Sequence, residues 1–204
     1  WESSAGDIEL FKDGVRIRRL AGRSAVSAHG SDAWFFDEAA DRVYVNFDPQ
    51  AGRPLITLSM APGAFVGGAS RVTLRGPAAG PPAEIYEYSG GAAVQPAPGA
   101  GGWFLQHLHL HHSHQFGWVF HGDGFTVADT RTSHQARAGF YVAHKAGSSK
   151  PVDTRVPAVG LTLVRVQSDH NNTNHYHTNW LAGGGKLQAV EDVVADQLYI
   201  HHNY

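Results

Sequence analysis

The chain has no cysteine in its 204 residues. Disulfides and thiolate metal centres are therefore excluded, although that absence does not fix a compartment. Charge is also scarce. Only 17% of residues are charged and the formal net charge is −2 with neutral histidines. There is no basic block of the kind that reads nucleic acid. No run of 18 apolar residues occurs, so no membrane span is expected. No stretch keeps the 3.6-residue apolar period of an amphipathic helix. The chain opens at Trp1 without a signal-like segment and stops at "YIHHNY". It reads as a segment cut from a longer parent, whose further C-terminal coils are an expected partner.

What is plentiful is glycine (24), histidine (14) and proline (10), in a chain that is 42% hydrophobic. This is a turn-rich composition that leans to β structure. Protonating the histidines would make the chain strongly positive near pH 6.

Residues 1–55 read as an entry region. They hold short strands at Trp34–Phe36 and Val43–Asn46, followed by another in "PLITLSM". Beyond them the chain repeats. "GWFLQHLHLHHSHQFGWVF", laid with Trp103 over Phe125, falls on "GFTVADTRTSHQARAGFYV". Val127 and Thr130 then land on Leu105 and Leu108, His134 lands on His112, and Gly139 on Gly117. A third copy carries Leu161, Leu163, Val166 and His170, and a fourth carries Val193, Ala195, Leu198 and His202. An earlier copy lies in "ASRVTLRG", residues 69–76. Short apolar strands at so short a period predict stacked parallel coils, with inserted segments looped out between them. The residue after each aligned histidine is polar: Ser113, Gln135, Asn171 and Asn203. Such residues at a repeated bend suit a hydrogen-bonded ladder. The alternative is an ordinary β-sandwich with chance similarity between the copies.

Three segments carry a resemblance: "SDAWFFDEAADRVYVNFDP", "GAFVGGASRVTLRG" and "AGGGKLQAVEDVVADQLYIHHN". They resemble the entry segment, first coil and a later coil of bacterial right-handed parallel β-helix repeat proteins, of the pectate-lyase-like superfamily. The likeness runs from about residue 30 onward. Leu181 stands where that family's loop usually has an acidic residue. The fold expected is thus an all-β, right-handed parallel β-helix (β-solenoid) of about 22 residues per coil, within the range of solenoid repeats. Residues 1–55 would form the entry region and residues 56–204 the coils. The resemblance implies a secreted, extracellular or cell-surface protein that acts on a polysaccharide or oligosaccharide.

Histidine is densest in "HLHLHHSH", residues 107–114. On a strand, side chains alternate, so Leu108 and Leu110 should face inward and His107, His109 and His111 outward. Residues two apart on a strand are roughly 7 Å apart, and no carboxylate lies within the cluster. No metal-ligand set is therefore assigned, and no cofactor is expected beyond a divalent cation left open. The outward positions of successive coils are Asp129, Arg131 and Ser133, then Arg165, Gln167 and Asp169, then Gln197, Tyr199 and His201. They would stack about 4.8 Å apart into a polar strip. A uronate lyase needs a base and a neutralised carboxylate. Arg131 or Arg165 would neutralise, and a histidine or an arginine of depressed pKa would abstract. A glycoside hydrolase needs two carboxylates, and Asp129 with Asp169 is the candidate pair. His109, His111, Tyr199 and Trp180 are the candidate substrate-binding residues.

Other readings weigh against these. A polar outer face can consist of salt pairs such as Asp129–Arg165, and the aligned histidines can be purely structural. The glycines before Lys186 do not form a phosphate loop, because Leu187 follows the lysine. The sequon at Asn171–Thr173 is discounted because Asn171 belongs to the bend. A metal-binding barrel would need histidines on opposed strands, against the short repeat period. The two functional classes left are a polysaccharide lyase, hydrolase or epimerase, and a non-catalytic carbohydrate-binding or structural surface module.

Overall fold

The computed structural model describes residues 9–37, 39–40, 42–48, 52, 54–59, 63–88, 91–144, 156–176 and 182–204. The chain divides into two compact units, Trp1–Met60 and Ala61–Tyr204.

In the first unit, β1 (Glu9–Lys12) pairs antiparallel with β2 (Val15–Arg16) and with β6 (Ile56–Ser59). A second sheet holds β3 (Arg18–Arg19), β4 (Ala33–Asp37) and β5 (Arg42–Val45). "AWFFD" and "RVYV" are rich in aromatic and β-branched residues, which favour strands. They pair antiparallel, with Phe35 opposite and stacked on Tyr44. Trp34 is fully buried, packs with Leu10 and Ile17, and donates its indole N–H to the Ile17 carbonyl. Between β3 and β4 lies a six-residue helix, α1 (Arg23–Ala28).

The second unit is made of successive passes of the chain. The first is β7 (Phe65–Gly67), β8 (Thr73–Arg75) and β9 (Ala83–Tyr86). The second is β10 (Ala92–Pro96), β11 (Phe104–Gln106) and β12 (Leu108–His111). The third is β13 (Phe116–Phe120), β14 (Thr126–Ala128) and β15 (Arg131–Ser133). Then come β16 (Ala138–Val142) with the long β17 (Ala158–Asp169), and β18 (Gly183–Leu187) with the long β19 (Val190–His201). Each strand pairs in parallel with its counterpart in the next pass. The result is a five-stranded sheet ordered β18-β16-β13-β10-β7. Beside it is an eight-stranded sheet that runs from β8 through β17 to β9, with β19 on β17.

The inner faces of these two sheets share one core. Val94, Trp118, Phe120, Phe140 and Val142 come from the five-stranded sheet, and Leu105, Leu110, Val127, Leu163 and Val166 from the eight-stranded one. Trp118 stacks on Phe140 at 4.6 Å between ring centroids, and Phe120 on Phe125 at 4.0 Å. Each large side chain so buried contributes about 1.5–3 kcal/mol.

Positions that align in the sequence copies are paired in the sheet: Leu105 with Val127, Val127 with Leu163, and Leu163 with Ala195. Bends recur at fixed columns. One is left-handed at His107, Asp129, Arg165 and Gln197, with φ between 48° and 57°. Another is left-handed at Glu87, His112, His134, His170 and His202. Its four imidazoles stack 5.1–5.3 Å apart and within 7° of parallel. The following residues make the polar ladder expected there. Ser113 N–H donates to Gln135 Oε1, Gln135 N–H to Asn171 Oδ1, and Asn171 N–H to Asn203 Oδ1. Glycine at 139 lets the five-stranded sheet approach this ladder, since a Cβ there would stand 2.1 Å from Ser168 Oγ and 2.5 Å from Thr132 Oγ1.

The all-β, right-handed parallel β-helix of about 22 residues per coil, with longer insertions looped out, expected from the sequence is corrected by these observations. The strands fall into four separate sheets of three, five, eight and three strands. The paired column Leu74, Leu105, Val127, Leu163 and Ala195 takes the expected short step once only, from Leu105 to Val127; every other step is longer. The supposedly β entry region contains α1. Physically, only the paired strands must match from pass to pass, so the segments between them take any length. The protein is mostly β, with parallel sheets of the kind usual in α/β proteins. Among the described residues of the second unit no helix covers those sheets; they cover each other.

Candidate functional site

Alternation along β9, β12, β15, the second half of β17 and the second half of β19 turns two residues of each strand outward. One row runs Glu84, His109, Arg131, Gln167, Tyr199, and the next runs Tyr86, His111, Ser133, Asp169, His201. His107 does not join this face. It is a bend residue between β11 and β12, and its ring bonds the Pro77 carbonyl. Asp129, Arg165 and Gln197 occupy the same bend column, so the left-handed residue resets the alternation that a continuous strand would have kept.

Two ion pairs of opposite sense tie neighbouring passes together. Arg131 donates Nε–H and Nη2–H to the two oxygens of Asp169, at 2.8 and 2.6 Å. Arg165 does the same to Asp129, at 2.5 and 2.9 Å. Asp169 is 1% exposed and also accepts from Gln167 and bonds the His170 ring. Burial alone would raise its pKa. The bonds from Arg131, His170 and Gln167 outweigh that and hold the carboxyl well below the usual carboxylate range. Arg165, with help from Gln106, lowers the Asp129 carboxyl too. Each carboxylate in turn raises its own arginine. The candidate catalytic residues thus come together as two closed pairs, Asp129 with Arg165 and Arg131 with Asp169. A glycosidase acid needs a raised carboxyl pKa and a lyase arginine a lowered one; both shifts are opposite here.

His109 and His111 lie side by side with ring centroids 4.5 Å apart, and Tyr86 stacks flat on His111 at 5.0 Å. His109 Nε2 bonds Ser133 Oγ at 2.8 Å, and His111 Nδ1 bonds His112 Nδ1 at 2.7 Å. Burial, together with the charges of His111 and Arg131, pushes the His109 pKa down to about 4; burial also lowers His111. Both rings are therefore neutral at pH 7, with a lone pair to offer. Glu84 reaches the pair from β9, its Oε1 3.9 Å from His109 Nδ1. Tyr86 and Tyr199 stand exposed at opposite ends of the strip, 48% and 57% accessible. Trp180, and with it Leu181, lies outside the described residues.

The sequence reading missed Glu84 and Tyr86. The signal was present in "AEIY", whose Ala83 and Ile85 alternate inward as Leu108 and Leu110 do. What hid it is the bend that follows. Glu87 stands in the column where the later passes carry histidine.

No family model, no curated protein and no solved structure matches the chain.

Proposed function

We propose that the outward strip binds a neutral glycan without turning it over. The observation that supports this best is the pair of exposed tyrosines, Tyr86 and Tyr199, at opposite ends of the strip, one in each of its two adjacent rows. Four strand spacings separate them, about 19 Å, the span of a short oligosaccharide. Exposed aromatic faces pack against sugar rings, and their hydroxyls stay in reach of water or ligand. Between them Gln167 and the exposed edge of the Arg131 guanidinium offer hydrogen-bonding groups for sugar hydroxyls. The preference for a neutral glycan follows from the arginines. Arg131 and Arg165 are already neutralised by Asp169 and Asp129, which leaves no uncommitted guanidinium among the described residues of the strip for a uronate. The closed pairs also argue against the catalytic reading, since the Asp129 and Asp169 carboxyls are both held below the usual carboxylate range by their arginines.

The test is binding of the chain to a panel of neutral and uronate polysaccharides, by calorimetry and affinity electrophoresis. Tyr86→Ala and Tyr199→Ala serve as variants, both at exposed positions. Retention by a neutral polysaccharide, weakened at least about tenfold in each variant, is the expected result; tenfold corresponds to about 1.4 kcal/mol. Binding to none of the panel, or binding that ignores both tyrosines, overturns the reading. Release of an unsaturated product that absorbs in the ultraviolet replaces it with a lyase.

A further inference from the structure

We infer that Glu84, His109 and His111 form a binding site for a divalent cation of the zinc class, with one coordination position left open. One ligand-capable atom of each residue lies within 4.8 Å of the other two. The arrangement is built on two strands of one sheet. His109 and His111 are separated by one residue on β12, and Glu84 is the direct register partner of His109 on β9.

The second observation is which ring atoms are already used. Ser133 Oγ holds His109 Nε2, and the His112 ring holds His111 Nδ1. This leaves His109 Nδ1, which faces Glu84, and His111 Nε2. His111 Nε2 is buried and has no hydrogen-bond partner among the described residues. A buried ring nitrogen without a partner is costly and calls for an explanation. Metal-binding histidines characteristically have the other nitrogen fixed by an outer partner, which sets tautomer and ring orientation. Both histidines here are fixed in that way. Tyr86, stacked on His111, further limits that ring.

Two imidazoles and one carboxylate suit a borderline ion such as Zn²⁺ and suit Ca²⁺ or Mg²⁺ poorly. Ligand atoms bonded at 2.0–2.1 Å around a tetrahedral ion stand about 3.4 Å apart, so the trio must tighten on binding. Glu84 can supply that movement, because its side chain is 58% exposed whereas that of His109 is 19% exposed. Three protein ligands leave one position of a tetrahedral shell, which a bound water or a ligand oxygen would fill. The inference stands independently of the glycan reading.

The experiment is calorimetric titration of the full chain with Zn²⁺ and, in parallel, visible spectroscopy with Co²⁺, with Ca²⁺ and Mg²⁺ as comparison ions. The variants are Glu84→Gln, His109→Gln and His111→Gln, with His29→Gln as a control for adventitious surface binding. The expected result is one Zn²⁺ per chain, weakened at least about tenfold in each of the three variants and unchanged in His29→Gln, with no competition from Ca²⁺ or Mg²⁺. Retained tight binding in Glu84→Gln overturns the site, and so does binding that His29→Gln removes. Should a histidine variant fail to fold, imidazole ¹⁵N shifts of the unaltered chain decide the matter. Zn²⁺ must move the His109 Nδ1 and His111 Nε2 resonances, and shifts confined to other histidines refute the proposal.

Discussion

Asn171→Ala is the sharpest test of what holds the bends together. Asn171 is fully buried, and its Oδ1 accepts the backbone N–H of the equally buried Gln135 at 3.0 Å. Its Nδ2 donates to Ser168 Oγ and to Asn203 Oδ1, both at 3.0 Å. Truncation leaves the Gln135 amide buried without a partner, at about 1–3 kcal/mol. The two donor contacts add less, about 0.5 kcal/mol each, because Asn203 Oδ1 still receives the Asn171 N–H. The sum is about 3 kcal/mol. For a domain of this size that lowers Tm by about 6–12 °C. Urea unfolding followed by fluorescence of the buried Trp118 measures it, with ΔG extrapolated linearly. Asn203→Ala is the internal comparison. Asn203 is half-buried, so its loss should cost about half as much. A loss at Asn171 below about 0.5 kcal/mol, the scatter of ordinary surface substitutions, would refute the claim that buried side-chain rungs carry the bend. A larger loss at Asn203 than at Asn171 would do the same.

Two further perturbations follow from the same region. Gly139→Ala would place a methyl group 2.1 Å from Ser168 Oγ and 2.5 Å from the Gly184 carbonyl; thermal unfolding should show a loss of about 2–3 kcal/mol, and an unchanged Tm would mean that the two sheets do not approach as described. Asp169 has its carboxyl lowered in the folded chain, so the stability it contributes is present above the unfolded value of about 3.9 and lost as pH falls through the folded value. Asp169→Asn should therefore cost about 2 kcal/mol at pH 7, discounted for the half-exposed Arg131, and should flatten the decline in stability below about pH 4. An acid limb as steep as in the unaltered chain counts against the pair.

The pairing of particular residues was legible because it rests on local chemistry. Leu105, Val127 and Leu163 sit at equal distances before a histidine and a polar residue, and each bend then repeats. The Asp129–Arg165 pair could be read from that alignment, since both occupy one column. Arg131 with Asp169 could not, because the register partner of Arg131 is Gln167 and the guanidinium reaches diagonally across the row. The uneven spacing of the passes was visible, but it carries no rule for what the intervening segments do. The helix α1 is a single short turn region flanked by Gly22 and His29, too brief for a 3.6-residue period to register. The candidate metal trio was hidden for a related reason. Its carboxylate lies one pass before His109, on β9, and the bend of that pass lacks the histidine that marks the others.

The polar ladder has a direction, and that direction bears on how the chain folds. Ser113, Gln135 and Asn171 each have a buried backbone amide served by a side chain from the pass that comes later in the sequence, never from the one before. A pass that has just docked therefore still has an unserved amide at its bend until the next one arrives. Accretion from the N-terminal side, the order in which a ribosome delivers the chain, always leaves one rung waiting. The chain is in that sense vectorial: each layer is finished by its successor, and a block placed after any pass should leave that pass loosely held while those before it stay closed.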